Sequence, residues 1–192
     1  ITDTNNCTFT DSVSVTEPPI ITVVSLVDSV SCFGYNDGTI TPSATGGTPS
    51  YQFSIDGGST WQNNGFVYCC FGPSTKIITV RDNEGCIDID TVSILEPALL
   101  VIDSITINEV SCHGGNDGSI TVNSTGGTSP FQYSTDGGTT WQSSNTFNGL
   151  IAGSYTIDIE DANNCTGNTS ITVTEPSILS ASIGNISNVS CN

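Results

Sequence analysis

Apolar and polar residues alternate along Tyr155-Thr156-Ile157-Asp158-Ile159-Glu160, which puts Tyr155, Ile157 and Ile159 on the inner face of a strand and Asp158 and Glu160 on the outer one. Ser119-Ile120-Thr121-Val122 and Ile171-Thr172-Val173 follow the same period. Leu99 to Ile107 reads as an apolar-rich first strand and Phe131-Gln132-Tyr133-Ser134 as a shorter third one. Asp136-Gly137-Gly138 predicts a turn that closes a hairpin onto Thr140-Trp141-Gln142. No segment carries a helical period. Roughly seven short strands with turn signals every ~8–12 residues predict an all-β, immunoglobulin-like sandwich. Tyr155, just after Ala152-Gly153, stands where a tyrosine corner is expected in such a fold.

The same pattern occurs twice. Val30-Ser-Cys-Phe-Gly-Tyr-Asn-Asp-Gly38 returns as Val110-Ser-Cys-His-Gly-Gly-Asn-Asp-Gly118, Thr45-Gly-Gly-Thr48 as Thr125-Gly-Gly-Thr128, and Ser54 to Trp61 as Ser134 to Trp141, each displaced by 80 residues. A fixed period means one folding unit copied in tandem. Residues 1–18 match residues 159–176, and Val189-Ser190-Cys191 opens a further copy. The expected organisation is the C-terminal part of a preceding repeat (1–18), complete repeats at 19–97 and 98–176, and the start of a following repeat (177–192), with targeting information outside this stretch. Units of roughly 80 residues are small but can bury a core of their own.

Composition narrows the function classes. The chain has 2 Lys+Arg against 19 Asp+Glu and a formal charge of −17, which argues against nucleic acid, bound through cationic neutralisation of phosphate. No apolar run is long enough to span a bilayer, so membrane insertion is not expected. The acidity suits a soluble, self-repelling surface protein. It also admits Ca2+ at the Asp/Asn-rich turns Asn36-Asp37, Asp82-Asn83-Glu84, Asn116-Asp117 and Asp161-Ala162-Asn163-Asn164, should six to eight oxygens converge there. One His and two basic side chains supply no recurring acid, base or oxyanion set, so neither catalytic residues nor a cofactor are expected.

Eight cysteines in a Ser/Thr/Asn/Gly-rich chain point to an oxidising, extracellular setting. Cys7, Cys86 and Cys165 recur every 79 residues, and Cys32, Cys112 and Cys191 every 80 and 79. Zinc would need closely spaced ligand pairs, and no CxxC or partnering His is present. Cys69-Cys70 lies outside the register, and three readings stand: a strained vicinal disulfide, a buried thiol pair, or an attachment to another chain. Aligning Phe66–Gly72 with Phe147–Gly153 sets Cys69 against Leu150, which predicts at least one thiol turned inward. The first repeat also lacks the corner tyrosine and must fix that end differently.

The Ser-x-Asp-x-Gly-x-Thr-Trp match coincides with the Asp-box hairpin of sialidase-type propellers. One box per 80 residues is too sparse for propeller blades of ~40–50 residues. Asp56 and Asp136 are therefore expected to cap their turns, with Trp61 and Trp141 packed beneath. A sugar platform is the alternative role for the two tryptophans, and a glycan-binding module of a surface protein the alternative function.

The ordered string VSCxGxNDGxI, TGGT, (Y/F)Q(Y/F)S, DGGxTWQ, DxNxC and (V/I)x(V/L)xEP resembles the SprB-type repeat of very large Bacteroidetes surface adhesins, over both complete repeats and both partial ones. The resemblance implies a secreted cell-surface filament exported by the type IX system and, in gliding species, moved along the cell to pull it over surfaces. On it the chain is expected to be a structural stalk whose partners are neighbouring repeats, other filament chains or surface polysaccharide. Asp11-Ser12-Val13, Asp28-Ser29-Val30, Asp90-Thr91-Val92 and Asp103-Ser104-Ile105 look like the Asp-Ser/Thr-aliphatic acceptor of O-glycosylation in Bacteroidetes, which makes Ser12, Ser29, Thr91 and Ser104 candidate glycan sites.

In a tandem immunoglobulin-like array the first strand of a unit runs downward. The loop with Cys32 or Cys112 then lies at the lower end and the turn with Cys86 or Cys165 at the upper end. These are separated within one unit by a strand length of ~20–30 Å, whereas a disulfide needs Cα atoms within ~7 Å. Pairing between repeats is therefore expected, Cys32 with Cys165, leaving Cys7, Cys86, Cys112 and Cys191 for repeats outside this stretch.

Overall fold

The computed structural model describes residues 1–63 and 66–184, so Cys191 lies outside the described residues. Among the latter every regular element is a strand. Contacts divide the chain into two compact units, Ile1–Ser29 with Asn36–Leu95, and Val30–Tyr35 with Glu96–Asn192. Val30–Tyr35 thus belongs with the later residues.

In the first unit, β1 (Thr22–Asp28), β2 (Gly38–Thr45) and β5 (Tyr68–Phe71) form one antiparallel sheet in the order β1-β2-β5. The other sheet is β4-β3-β6-β7, built from β3 (Gln52–Ser54), β4 (Gln62–Asn63), β6 (Ser74–Arg81) and β7 (Ile87–Ile94). Sequence neighbours that split between two sheets in this order make the immunoglobulin-like sandwich. Alternation supplies the core, because Val23, Ile40, Phe53, Ile78, Val80, Val92 and Ile94 point inward and are buried.

The second unit repeats the plan with β8 (Val101–Asn108), β9 (Gly118–Thr125) and β11 (Thr146–Leu150) in the order β11-β9-β8. Facing them is β10-β12-β13, made of β10 (Gln132–Ser134), β12 (Gly153–Glu160) and β13 (Thr166–Val173). The fourth strand is reduced to a bridge between Tyr133 and Gln142. Leu100, Val110, Ile120, Val122, Tyr133, Ile157, Ile159 and Val173 form the core. Tyr155 donates its hydroxyl to the carbonyl of Ile151 at 2.9 Å, closing the tyrosine corner.

Register corrects the alignment of the cysteine pair. Phe71 lies opposite Gly38 and Tyr68 opposite Ile40, while Leu150 lies opposite Gly118 and Phe147 opposite Ile120. Tyr68 is therefore the equivalent of Phe147, Phe71 of Leu150, and Cys69-Cys70 of Asn148-Gly149. Neither thiol turns inward, and a buried thiol pair is ruled out, because both cysteines are exposed. Buried Tyr68 fills that part of the core and donates its hydroxyl to the carbonyl of Phe53 at 2.8 Å. Lys76 takes the place of the corner tyrosine and lays its ammonium over the Phe71 ring, 4.9 Å from the centroid.

Candidate functional site

The register cysteines sit on two kinds of loop, each built by its own carboxylate. In the turn between β12 and β13, Asp161 accepts the backbone N–H groups of Asn163 (2.8 Å) and Cys165 (2.9 Å) on Oδ1 and that of Thr128 (2.8 Å) on Oδ2. Asn164 takes the left-handed conformation, φ 62°, which an Asn tolerates because its short polar side chain bonds locally. The carboxylate thereby ties the TGGT turn to the DxNxC turn and fixes the direction of Cys165. Asp82 does the same in the first unit, accepting from Thr48 (2.8 Å), Glu84 (3.0 Å) and Cys86 (2.8 Å). Those amides, the Thr48 N–H foremost, hold its carboxyl below the usual range. The N-terminal segment keeps the motif too, with Asp3 accepting from Asn5 and Cys7 at 2.8 and 2.9 Å and Asn6 at φ 66°.

The second kind of loop joins the first two strands of each sandwich. Gly114 (φ 76°) donates its N–H to Glu175 at 2.6 Å, and the other oxygen of that carboxylate meets His113 Nδ1 at 2.8 Å. Ser111 donates its N–H to Asp117 at 3.0 Å, and hydrogen bonds from Ser111, led by its side chain, lower the Asp117 carboxyl. In Val30–Tyr35 the corresponding contact runs from the Gly34 N–H to Glu96 at 3.0 Å. Glu96 and Glu175, each followed by Pro, are therefore braces for cysteine loops. The sequence shows each as a Glu recurring 61 or 62 residues after the loop glycine, a signal that only the shared period exposes.

Cys32 and Cys165 form a disulfide with Cα atoms 5.7 Å apart, closing a loop with a sequence separation of 133. The Asn163 side chain donates to the Ser31 carbonyl at 2.9 Å beside it. A polar residue of the cysteine turn thus fastens the same short segment that the sulfur bond holds. Cys7, Cys86 and Cys112 carry free, exposed thiols on loops of the same two designs.

The two Asp hairpins are near copies. Asp136 accepts the Ser134 hydroxyl at 2.7 Å, the N–H groups of Thr139 and Thr140 at 3.0 and 2.9 Å, and the Thr140 hydroxyl at 2.6 Å. Its pKa falls to about 2, chiefly through the Thr140 hydroxyl. Asp56 holds Ser54, Ser59 and Thr60 in the same way and is lowered further. A Cβ on Gly138 or Gly58 would meet Trp141 or Trp61 at 3.3 or 3.2 Å, so each indole lies against its own turn. The Arg81 guanidinium covers the Trp61 ring at 4.1 Å.

Among the described residues no group of three or more His, Cys, Asp or Glu side chains could hold a metal ion. The carboxylates of Asp82, Asp117 and Asp161 are directed at backbone amides instead. Ser12, Ser29, Thr91 and Ser104 are exposed. Ser29 accepts the Leu95 N–H at 3.3 Å and Ser104 the Asn123 amide at 3.2 Å.

A family model described as "SprB repeat" matches residues 25–60 and 104–140. No curated protein matches the chain in sequence. Among solved structures, it is similar to the C-terminal 282-residue fragment of intimin in complex with the translocated intimin receptor's intimin-binding domain, at 16% identity and a TM-score of 0.40. That match covers 83% of this chain, which spans 64% of the intimin fragment. Fibronectin(III)-like modules of Clostridium thermocellum CbhA are similar at 14% identity and a TM-score of 0.35, over 79% of this chain and 94% of theirs. The FN1–FN3 domains of chicken CNTN1 follow at 11% identity and 0.32, over 82% and 67%.

Proposed function

We propose, from the premise that the chain carries two SprB-type repeats, that it is a load-bearing stalk segment of a long secreted surface adhesin, serving attachment or gliding and without enzymatic activity. The observation that supports this reading is the Cys32–Cys165 disulfide, which crosses a sequence separation of 133 and joins the two loop designs that every repeat carries. Cys112 then pairs with the turn cysteine of a further repeat, Cys86 and Cys7 with loop cysteines of earlier ones, and Cys191 with one beyond. Each bond of this kind stabilises its loop by about 5 kcal/mol in the chain-entropy account. Neighbouring repeats are in this sense the first partners of the chain.

Such a ladder carries tension along a short covalent path. Force entering at Cys32 crosses to Cys165 through sulfur and bypasses the strands within that loop, while force entering at Cys86 and leaving at Cys112 crosses only β7 and β8. The exposed O-glycan candidates and the acidic surface suit a fibre that must stay soluble and apart from its neighbours. Non-reducing peptide mapping of native surface material tests the reading: Cys112 joined to a turn cysteine of another repeat is the expected product. Recovery of Cys32 with Cys86, or Cys86 with Cys112, would overturn it. A glycan array showing saturable binding to the two repeats would replace the stalk with the lectin reading.

A further inference from the structure

Cys69 and Cys70 are the one place where the first repeat introduces reactive chemistry that the second lacks. They stand on β5 where the second repeat has Asn148 and Gly149. Successive side chains of a regular strand point to opposite faces, which would put the sheet between two adjacent sulfurs. Here the ladder with β2 is broken by a bulge between Gly38 and Ile40, and Cys70 adopts φ 69°. Both side chains come out on the solvent side with their sulfurs 2.7 Å apart.

A non-glycine residue held in left-handed conformation, where the sister repeat uses glycine, is a backbone outlier that points to function. We infer that Cys69 and Cys70 form a redox-labile vicinal pair, a thiol-exchange site whose substrates are external thiols and disulfides. Closure breaks both S–H bonds and forms one S–S bond. The two electrons and the two protons pass to a disulfide-class oxidant, whose own S–S bond breaks and which leaves as two thiols. Sulfurs already in contact close on each other faster than either meets a second chain, because the partner is present at very high effective concentration.

The closed pair spans adjacent residues, whose Cα atoms lie about 3.8 Å apart across a trans peptide, below the ~4.4–6.8 Å usual for a disulfide. Cys32–Cys165, at 5.7 Å, falls inside that range. The vicinal bond is therefore the strained, more oxidising one, open to attack by an external thiolate, while the long-range bond persists. In the reduced pair the hydrogen bond to Cys69 pushes the Cys70 thiol above its ordinary range.

The test uses the full chain with Cys7, Cys86, Cys112 and Cys191 replaced by Ser, equilibrated in graded dithiol buffers, alkylated and mapped. After treatment with oxidised glutathione, the peptide with Cys69 and Cys70 should take up no alkyl group and weigh two hydrogens less. Half-reduction should need a dithiol concentration about tenfold or more below that for Cys32–Cys165. In Cys70→Gly, which restores the residue type of the sister bulge, Cys69 should accumulate a stable glutathione adduct that the parent resolves. A pair that stays fully alkylatable, an adduct equally persistent in the parent, or a bond as resistant as Cys32–Cys165 would each overturn the inference.

Discussion

Cys70 and Gly149 occupy the same bulge position of equivalent strands, at φ 69° and 77°, one residue before the side chain that faces Gly38 or Gly118. At Gly149 an added Cβ would find only the Asn116 carbonyl oxygen, at 3.9 Å. The whole penalty of Gly149→Ala is then conformational. It should cost about 1 kcal/mol, read as a shift in denaturant midpoint with unchanged slope.

Gly126 obeys a different constraint. It also has positive φ, 75°, but its Cβ would stand 1.9 Å from the Leu99 carbonyl oxygen. Backbone cannot move aside as a side chain can, so Gly126→Ala should cost roughly 3 kcal/mol or more and broaden the amide spectrum around Leu100. Equal stability of the two variants would show that the TGGT turn is not built as described.

Alternation made the apolar stretches Ile120–Val122, Tyr155–Ile159 and Ile171–Val173 legible, because their inward residues are apolar side chains of a small core, whereas the inward Gly167 and Thr169 carried no such signal at the start of β13. It missed β11 as a strand, since Thr146–Leu150 contains Asn148 and Gly149 and pairs only with β9 through a bulge. The same bulge misled the cysteine alignment. Matching Gly72 to Gly153 gives an offset of 81, whereas pairing across Gly38 and Gly118 gives 79. The braces from Glu96 and Glu175 escaped the reading for another reason: neither local pattern nor composition encodes a bond across 61 or 62 residues, and only the recurrence of the Glu at that distance from the loop glycine in both repeats marks it.

Acid should loosen the second Asp hairpin before the first. The Asp136 pKa of about 2 lies below the ~3.9 of an unfolded Asp. Its contribution to stability is therefore complete above pH ~3.9 and is lost as pH falls through about 2. Asp56 is lowered further and should hold longer. Emission from Trp141, which lies against Gly138, should shift in that window, and Thr140→Val should move the transition upward by removing the 2.6 Å hydroxyl bond. A transition centred near pH ~4 in the parent chain would contradict the hairpin geometry.

Asp161 holds three backbone N–H groups while itself buried, with 5% exposure. Replacement by Ala strands those donors, at roughly 3 kcal/mol or more in total. Cys165 should then lose its orientation, so oxidative refolding of Asp161→Ala should yield less of the Cys32–Cys165 bond than the parent chain. An unchanged yield would mean that the turn is fixed by other contacts.

The mechanical consequence of the disulfide is the most direct to measure. A sequence separation of 133 lies between Cys32 and Cys165, and a fully extended stretch of that size spans about 450 Å. Pulled from its termini between handles, the oxidised chain transmits force through the sulfur bond, so only residues before Cys32 and after Cys165 can extend. Strands β2 to β12 should give no unfolding steps at any force that leaves the bond intact. Adding a reductant under constant load should release the stored length, and the sandwiches should then unfold in separate steps. In Cys32→Ser the same steps should appear without reductant. Full extension of the oxidised parent chain at forces too low to break a covalent bond would show that Cys32 and Cys165 do not carry the load, and would remove the physical basis for reading these repeats as a stalk.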